Sequence, residues 1–202
     1  MIDKTTNSKA DETDNMKKLY LMRHGETLFN KLGKIQGASD SPLTEVGIKQ
    51  ARIAKEYFQN HNIKLDAYYS STQERASDTL EIIIGNKKYK RIRELKEWNF
   101  GIFEGEREYL NPKRPIGETS YGDSFVPYGG ESSKVVQERI NKGLTKIMEQ
   151  ENNQNVLAVS HGGAMYLFIQ KWLAYEKVSK INFSNCCILE FGYKNNSFVF
   201  LQ

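Results

Sequence analysis

Three short runs of apolar residues punctuate the chain: KLYLM at 18–22, LDAYYS at 65–70 and NVLAVS at 155–160. Runs of this length without strict alternation suit strands buried on both faces. Between and after them the apolar positions take up helical spacing. From Thr44, an N-cap candidate, Ile48, Ala51, Ala54 and Phe58 recur every three or four residues. Ser71 and Glu74 make a capping-box pattern ahead of Ala76, Leu80, Ile83 and Ile84. A helix is predicted from about Glu131, burying Val136, Ile140, Leu144 and Ile147, and another from Gly163 through Trp172. ILEFGY and SFVFLQ flank a Lys-Asn-Asn-Ser turn and read as a closing hairpin. Strands alternating with helices predict an α/β fold, a three-layer α/β/α sandwich around a mostly parallel central sheet.

With 202 residues and 39% hydrophobic content, the chain suits one domain. Residues 1–15 lack apolar periodicity and are read as a flexible extension, with the folded domain over 16–202. Residues 106–130 hold three of the four prolines and read as a long loop or lid. No apolar run approaches 18 residues and no leader pattern is present, so the expectation is a cytoplasmic protein with no membrane partner. Cys186 and Cys187 are adjacent, which excludes a disulfide framework, and are expected as buried thiols within a strand. Three histidines and no Cys/His cluster give a metal site little to be built from, so no metal is expected.

The net charge of +4 is unevenly placed. Asp3, Asp11, Glu12 and Asp14 against Lys4 and Lys9 make the first fifteen residues −2, which leaves +6 for the rest. That excess suits a small anion rather than nucleic acid, which needs a clustered basic stripe.

Ligands of open parallel sheets bind beyond the carboxyl ends of the strands. KLYLM runs into Arg23-His24-Gly25, LDAYYS into a helix whose first turn holds Arg75, and NVLAVS into His161-Gly162-Gly163. Two arginines and two histidines thus meet one rim, whereas His61 is read as a surface residue. Guanidinium forks and a helix N-terminus match phosphate oxygens. A neutral imidazole there is a nucleophile toward phosphorus, and neighbouring cations keep it neutral. The leaving alkoxide needs a proton, which a carboxylic acid at the pocket mouth supplies.

These residues resemble the histidine phosphatase superfamily, also called the phosphoglycerate mutase-like family. Five blocks in order carry the resemblance: MRHGET, IQGASDSPLTEVGIKQA, SSTQERASDT, LKEWNFGIFEG and VSHGG. It implies the phosphoglycerate mutase-like fold, His24 as phosphorylated nucleophile, Arg23, Arg75 and His161 as phosphate pocket, and Glu97 as proton donor. Thr27, Asn30, Gln36 and Gly162 fall where such enzymes place further phosphate or substrate contacts. Competing readings are Arg75 paired with Asp78 on a helix surface, Glu94 or Glu104 as the acid, and Thr27, Asn30 and Gln36 as loop-stabilising side chains. Lys113, Arg114 and Tyr121 are read as solvated loop residues.

Within the family the resemblance favours a phosphatase. Mutases carry a Gly-Trp pair where this chain has Gln36-Gly37-Ala38, and a longer insertion beyond the acid; here about 33 positions separate Glu97 from Gly130. The expectation is a phosphomonoesterase that needs no metal or cofactor and hydrolyses small phosphorylated metabolites through phosphohistidine. Phosphoglycerate mutase-type transfer is the alternative within the enzyme class, and a non-catalytic phosphate-binding or docking module the alternative outside it.

Overall fold

The computed structural model describes residues 16–202; the extension expected over 1–15 lies outside the described residues. Six strands form one sheet in the order β3-β2-β4-β1-β5-β6. They are β1 Lys17–Arg23, β2 Ala67–Ser71, β3 Lys90–Ile92, β4 Asn155–Ser160, β5 Ile188–Lys194 and β6 Ser197–Phe200. β3, β2, β4 and β1 run parallel, while β5 and β6 close the sheet as an antiparallel hairpin.

Residue alternation along the central strands explains why they read as unbroken apolar runs. Leu19 and Leu21 of β1, with Val156 and Ala158 of β4, face one core, while Tyr20, Met22, Leu157 and Val159 face the other. One layer is covered by α2 (Glu45–Asn60) and α3 (Glu74–Ile84), through Ala54, Phe58, Ala76, Leu80, Ile83 and Ile84. The opposite layer is covered by α4 (Ser133–Met148) and α5 (Gly162–Gln170), through Val136, Ile140, Leu144, Met165 and Phe168. Two four-residue helices, α1 (Leu28–Lys31) and α6 (Tyr175–Val178), complete the set.

Several local expectations need correction. Thr44 does cap α2, its hydroxyl accepting from Gly47 N–H at 3.1 Å. Of the four spaced positions Ile48 is only half-buried, while its neighbour Gly47 is buried, and a Cβ at Gly47 would lie 2.1 Å from Glu26 O. The Ser71/Glu74 capping box does not form. Gln73 is the N-cap of α3 without a side-chain cap bond, and the Ser71 hydroxyl is engaged elsewhere. α4 does begin close to Glu131, after the N-cap Ser132, whose hydroxyl accepts from Val135 N–H. The cysteines are half-buried and precede β5, with Cys186 at φ +59°. β3, three residues long and largely exposed, had no apolar signature to betray it.

Between Leu95 and α4 the chain makes short 3₁₀ turns at Gly101–Phe103, Glu108–Leu110 and Val126–Tyr128. Phe125 is fully buried here, its ring within 6 Å of Trp98, Phe100, Phe103 and Tyr121.

Candidate active site

The register pairs Arg23 of β1 with Ser160 of β4, and β2 runs parallel beside β4. The residues following these strands therefore emerge at one sheet edge. Gly25 allows the first turn to sit tightly on α2: a Cβ at this position would lie 2.7 Å from Gly47 O. Gly25 N–H donates to Thr79 Oγ1 at 3.0 Å, and Thr79 in turn donates to Arg75 O.

His24 is buried, and its hydrogen bonds fix its tautomer. Gly25 O can only accept, so Nδ1, 2.7 Å away, carries the proton. The Arg75 Nε–H can only donate, so Nε2, at 3.3 Å, presents a lone pair. Burial first, then Arg75 and Arg23, hold its pKa well below the usual 6.5. The His161 ring lies 5.1 Å from that of His24, centroid to centroid, and is fully buried. Its pKa is likewise pushed well down by burial and then by Arg75. Ser71 Oγ sits 2.7 Å from His161 Nε2, while Nδ1 is buried without a partner among the described residues.

Arg75 is 1% exposed although it sits in the first turn of α3. It pairs with Asp40 rather than Asp78: Nη1 donates to Asp40 Oδ1 and to Ser39 O, each at 2.8 Å, and Nη2 to Gly37 O at 2.9 Å. The other Asp40 oxygen accepts from Glu74 N–H at 2.5 Å, taking the place of the missing cap. Arg23 donates through Nη1 to Phe183 O, and its Nε is buried without a partner among the described residues.

The three glutamates separate by environment. Glu97 accepts from Trp98 N–H and Ala164 N–H at 2.8 Å and Gly163 N–H at 3.0 Å, so it caps the N-terminus of α5 at the cavity wall. Glu104 is spent on the 38–39 loop, accepting from Ala38 N–H and Ser39 N–H at 2.7 Å. The Glu94 side chain packs on Gly143. Arg139 fixes the segment bearing Glu97, donating to the carbonyls of Glu94, Lys96 and Glu97. Gln73 ties the same segment to the loop, accepting from Glu97 N–H and donating to Gly37 O.

A cavity of about 370 Å³ opens over this floor. Arg23, His24, Asn30, Gln36, Arg75, Glu97 and Gly162 line it; His161 is not among the lining residues, its ring lying 5.1 Å from that of His24. Thr27 is fully buried off the wall, where it caps α1 in a reciprocal box with Asn30. Asn30 Oδ1 also accepts from Asn185, and Gln36 Oε1 from Ser41. Asp40, Ser71, Gln73, Thr79 and Arg139 are supports that the sequence reading missed. Only the SSTQERASDT and SDS segments of the resemblance touch any of them. A second groove, about 470 Å³, runs along Ile53, Tyr57 and Cys186, but burial pushes the Cys186 thiol up to about 12, away from thiolate chemistry. No helix among the described residues is long and apolar enough to cross a membrane.

Comparison with known proteins gives the same picture. The profile of the histidine phosphatase superfamily (branch 1) matches residues 19–202. The probable phosphoglycerate mutase GpmB of Yersinia pestis is 30% identical over 192 residues, covering 90% of this chain and 87% of the relative. Among solved structures, phosphoglycerate mutase from Bacillus anthracis superposes with a TM-score of 0.80 at 25% identity, covering 94% of both chains. Phosphoserine phosphatase from Entamoeba histolytica, in complex with 3-phosphoglyceric acid, gives 0.77 at 32% identity, covering 93% of this chain and 96% of that one. A match that runs from within the first core strand to the last residue makes this chain a member of the histidine phosphatase superfamily, branch 1, an enzyme of the phosphatase and phosphoglycerate mutase kind.

Proposed function

We propose that this chain is a phosphomonoesterase that hydrolyses small phosphorylated metabolites through a phosphohistidine on Nε2 of His24. The observation that carries the reading is the lone pair on Nε2, set by two partners of opposite polarity, Gly25 O and Arg75 Nε–H. Attack by this lone pair forms the P–N bond as the P–O bond to the alcohol breaks. Arg23 Nε–H and His161 Nδ1, both buried without partners among the described residues, and the Gly162 N–H at the start of α5 are suited to donate to the phosphoryl oxygens. Ser71 Oγ–H donating to His161 Nε2 leaves the proton on Nδ1, where the phosphate needs it.

Glu97 gives its proton to the departing alkoxide. As carboxylate it then takes a proton from water, whose oxygen attacks phosphorus and breaks the P–N bond, releasing phosphate and the free imidazole. No step calls on a metal. The test is hydrolysis of p-nitrophenyl phosphate in EDTA: His24→Ala is expected to lower kcat on the order of 10⁴-fold or more, as loss of a nucleophile does. Activity that survives this substitution, or that disappears with chelation, defeats the reading.

The relatives named phosphoglycerate mutase favour one second reading, return of the phosphoryl group to a phosphoglycerate. Interconversion of 2- and 3-phosphoglycerate with a bisphosphate primer, faster than hydrolysis, would establish it instead.

A further inference from the structure

Above the phosphate floor the cavity has a rim whose side chains the chemistry so far leaves unused. A short antiparallel pairing builds it. Gly105 N–H donates to Ile35 O at 2.8 Å, Ile35 N–H to Glu106 O at 2.9 Å, and Glu108 N–H to Gly33 O at 3.0 Å, with Lys34 opposite Arg107. This pairing sets Lys34 and Glu108 on the cavity wall, and the 3₁₀ turn that follows adds Asn111. Arg107 is drawn off, its guanidinium donating to Leu32 O.

The loop pairing and the turn after it leave two acceptors and one cation at the rim, beside the Tyr121 side chain on the same wall. Asn111 Oδ1 is buried with no hydrogen-bond partner among the described residues, and a buried acceptor in that state calls for a donor. Glu108 supplies a second acceptor with a full negative charge. Neither Glu108 nor Lys34 has an ion-pair partner among the described residues. A ligand that satisfies this set carries a cationic donor and an anion on neighbouring atoms, in addition to its phosphate.

We propose that the rim reads the alcohol half of the substrate as an ammonium beside a carboxylate, so that the preferred substrate is an O-phosphorylated amino acid of about the size of phosphoserine. The ammonium meets Glu108 and Asn111 Oδ1, and the carboxylate meets Lys34. This rests on the phosphatase reading above. A hydroxyl satisfies Asn111 but leaves the Glu108 charge unmatched, and a neutral sugar leaves both Glu108 and Lys34 unmatched. The cavity volume, at the small end of ligand pockets, suits a compact molecule.

The experiment is a matched pair. O-phosphoserine and 3-phosphoglycerate differ only in carrying an ammonium or a hydroxyl at carbon 2, so their kcat/KM ratio isolates the contact. With the full chain the ratio is expected to favour phosphoserine by about fivefold, the scale of a solvent-exposed charge pair. Glu108→Gln should bring it toward one, and Glu108→Lys should invert it. Ratios do not depend on how much protein is folded, so poor folding of a variant cannot imitate these results. A wild-type ratio at or below one, a hexose phosphate turned over faster than both, or a ratio unmoved by both variants overturns the proposal. If p-nitrophenyl phosphate is still hydrolysed in those cases, only the substrate assignment falls; if it is not, the phosphatase reading falls as well.

Discussion

The floor of the cavity and its rim are built on opposite principles. On the floor each functional group is held from several sides: Arg75 by Gly37, Ser39 and Asp40, His24 by Gly25 and Arg75, Glu97 by three backbone N–H groups. The rim hangs from 3₁₀ turns and a three-residue pairing, and exposes Tyr109 at 82% and Ile116 completely. What anchors it is apolar, the ring cluster around Phe125. An over-determined floor suits recognition of one invariant group, the phosphoryl. A lightly tethered rim can change its side chains without disturbing that floor.

The largest expected effect that separates the two is on Phe125→Ala. Deleting a fully buried aromatic ring costs about 3–5 kcal/mol. Because the ring of Phe125 packs on Trp98, Phe100, Phe103 and Tyr121 rather than on Arg23, His24, Arg75 or His161, vanadate affinity of the folded protein should stay within about twofold of wild type. Chemical denaturation and vanadate titration on the same preparation measure both. A vanadate affinity that collapses with stability would show that floor and rim are one unit.

Thr79→Val applies the converse pressure. The shape is kept, but the buried Gly25 N–H loses its acceptor, at a cost of about 1–3 kcal/mol. Since the carbonyl of the same residue accepts from the His24 ring, kcat should fall roughly tenfold with KM little changed. An unchanged kcat would remove Thr79 from the support of the nucleophile.

How legible each region was in the sequence follows the same division. Central strands and helix faces were readable because burial on both sides of a parallel sheet imposes apolar runs and three-to-four spacing, and Leu19 to Met22 and Ala76 to Ile84 show both. Strand ends then led to Arg23, His24, Arg75 and His161, which the structure brings together. Local chemistry misled where a long-range partner won. Ser71 satisfies the capping-box rule, yet its hydroxyl goes to His161, 90 residues away, and Asp40 supplies the acceptor that Glu74 N–H needs. Glu94, Glu97 and Glu104 are alike in sequence; Glu97 and Glu104 differ in which backbone amides they accept from, and Glu94 packs on Gly143. Lys34, Glu108 and Asn111 come together through a pairing of two loops that carries no periodic signal.

The smallest expected effect per step concerns the pair of buried histidines. Both His24 and His161 are held neutral, with folded pKa values well below the usual 6.5, by burial and the arginines. Above pH 6.5 the unfolded chain is neutral at these positions too, so they contribute no pH dependence. Below 6.5 the unfolded chain binds protons that the folded chain refuses. Stability therefore falls as pH falls, by about 1.4 kcal/mol per pH unit for each histidine, until the depressed folded values are reached. Urea midpoints between pH 7.5 and 5.0 should decline from 6.5 downward. His161→Asn should remove about half of the decline, the asparagine being unable to titrate. Carboxylates begin to titrate at the acid end, so the difference between variant and wild type is the quantity to compare. A difference near zero across this window would mean that His161 is charged in the folded protein, and the floor would then bind phosphate with one more cation and one fewer neutral ring than the geometry implies.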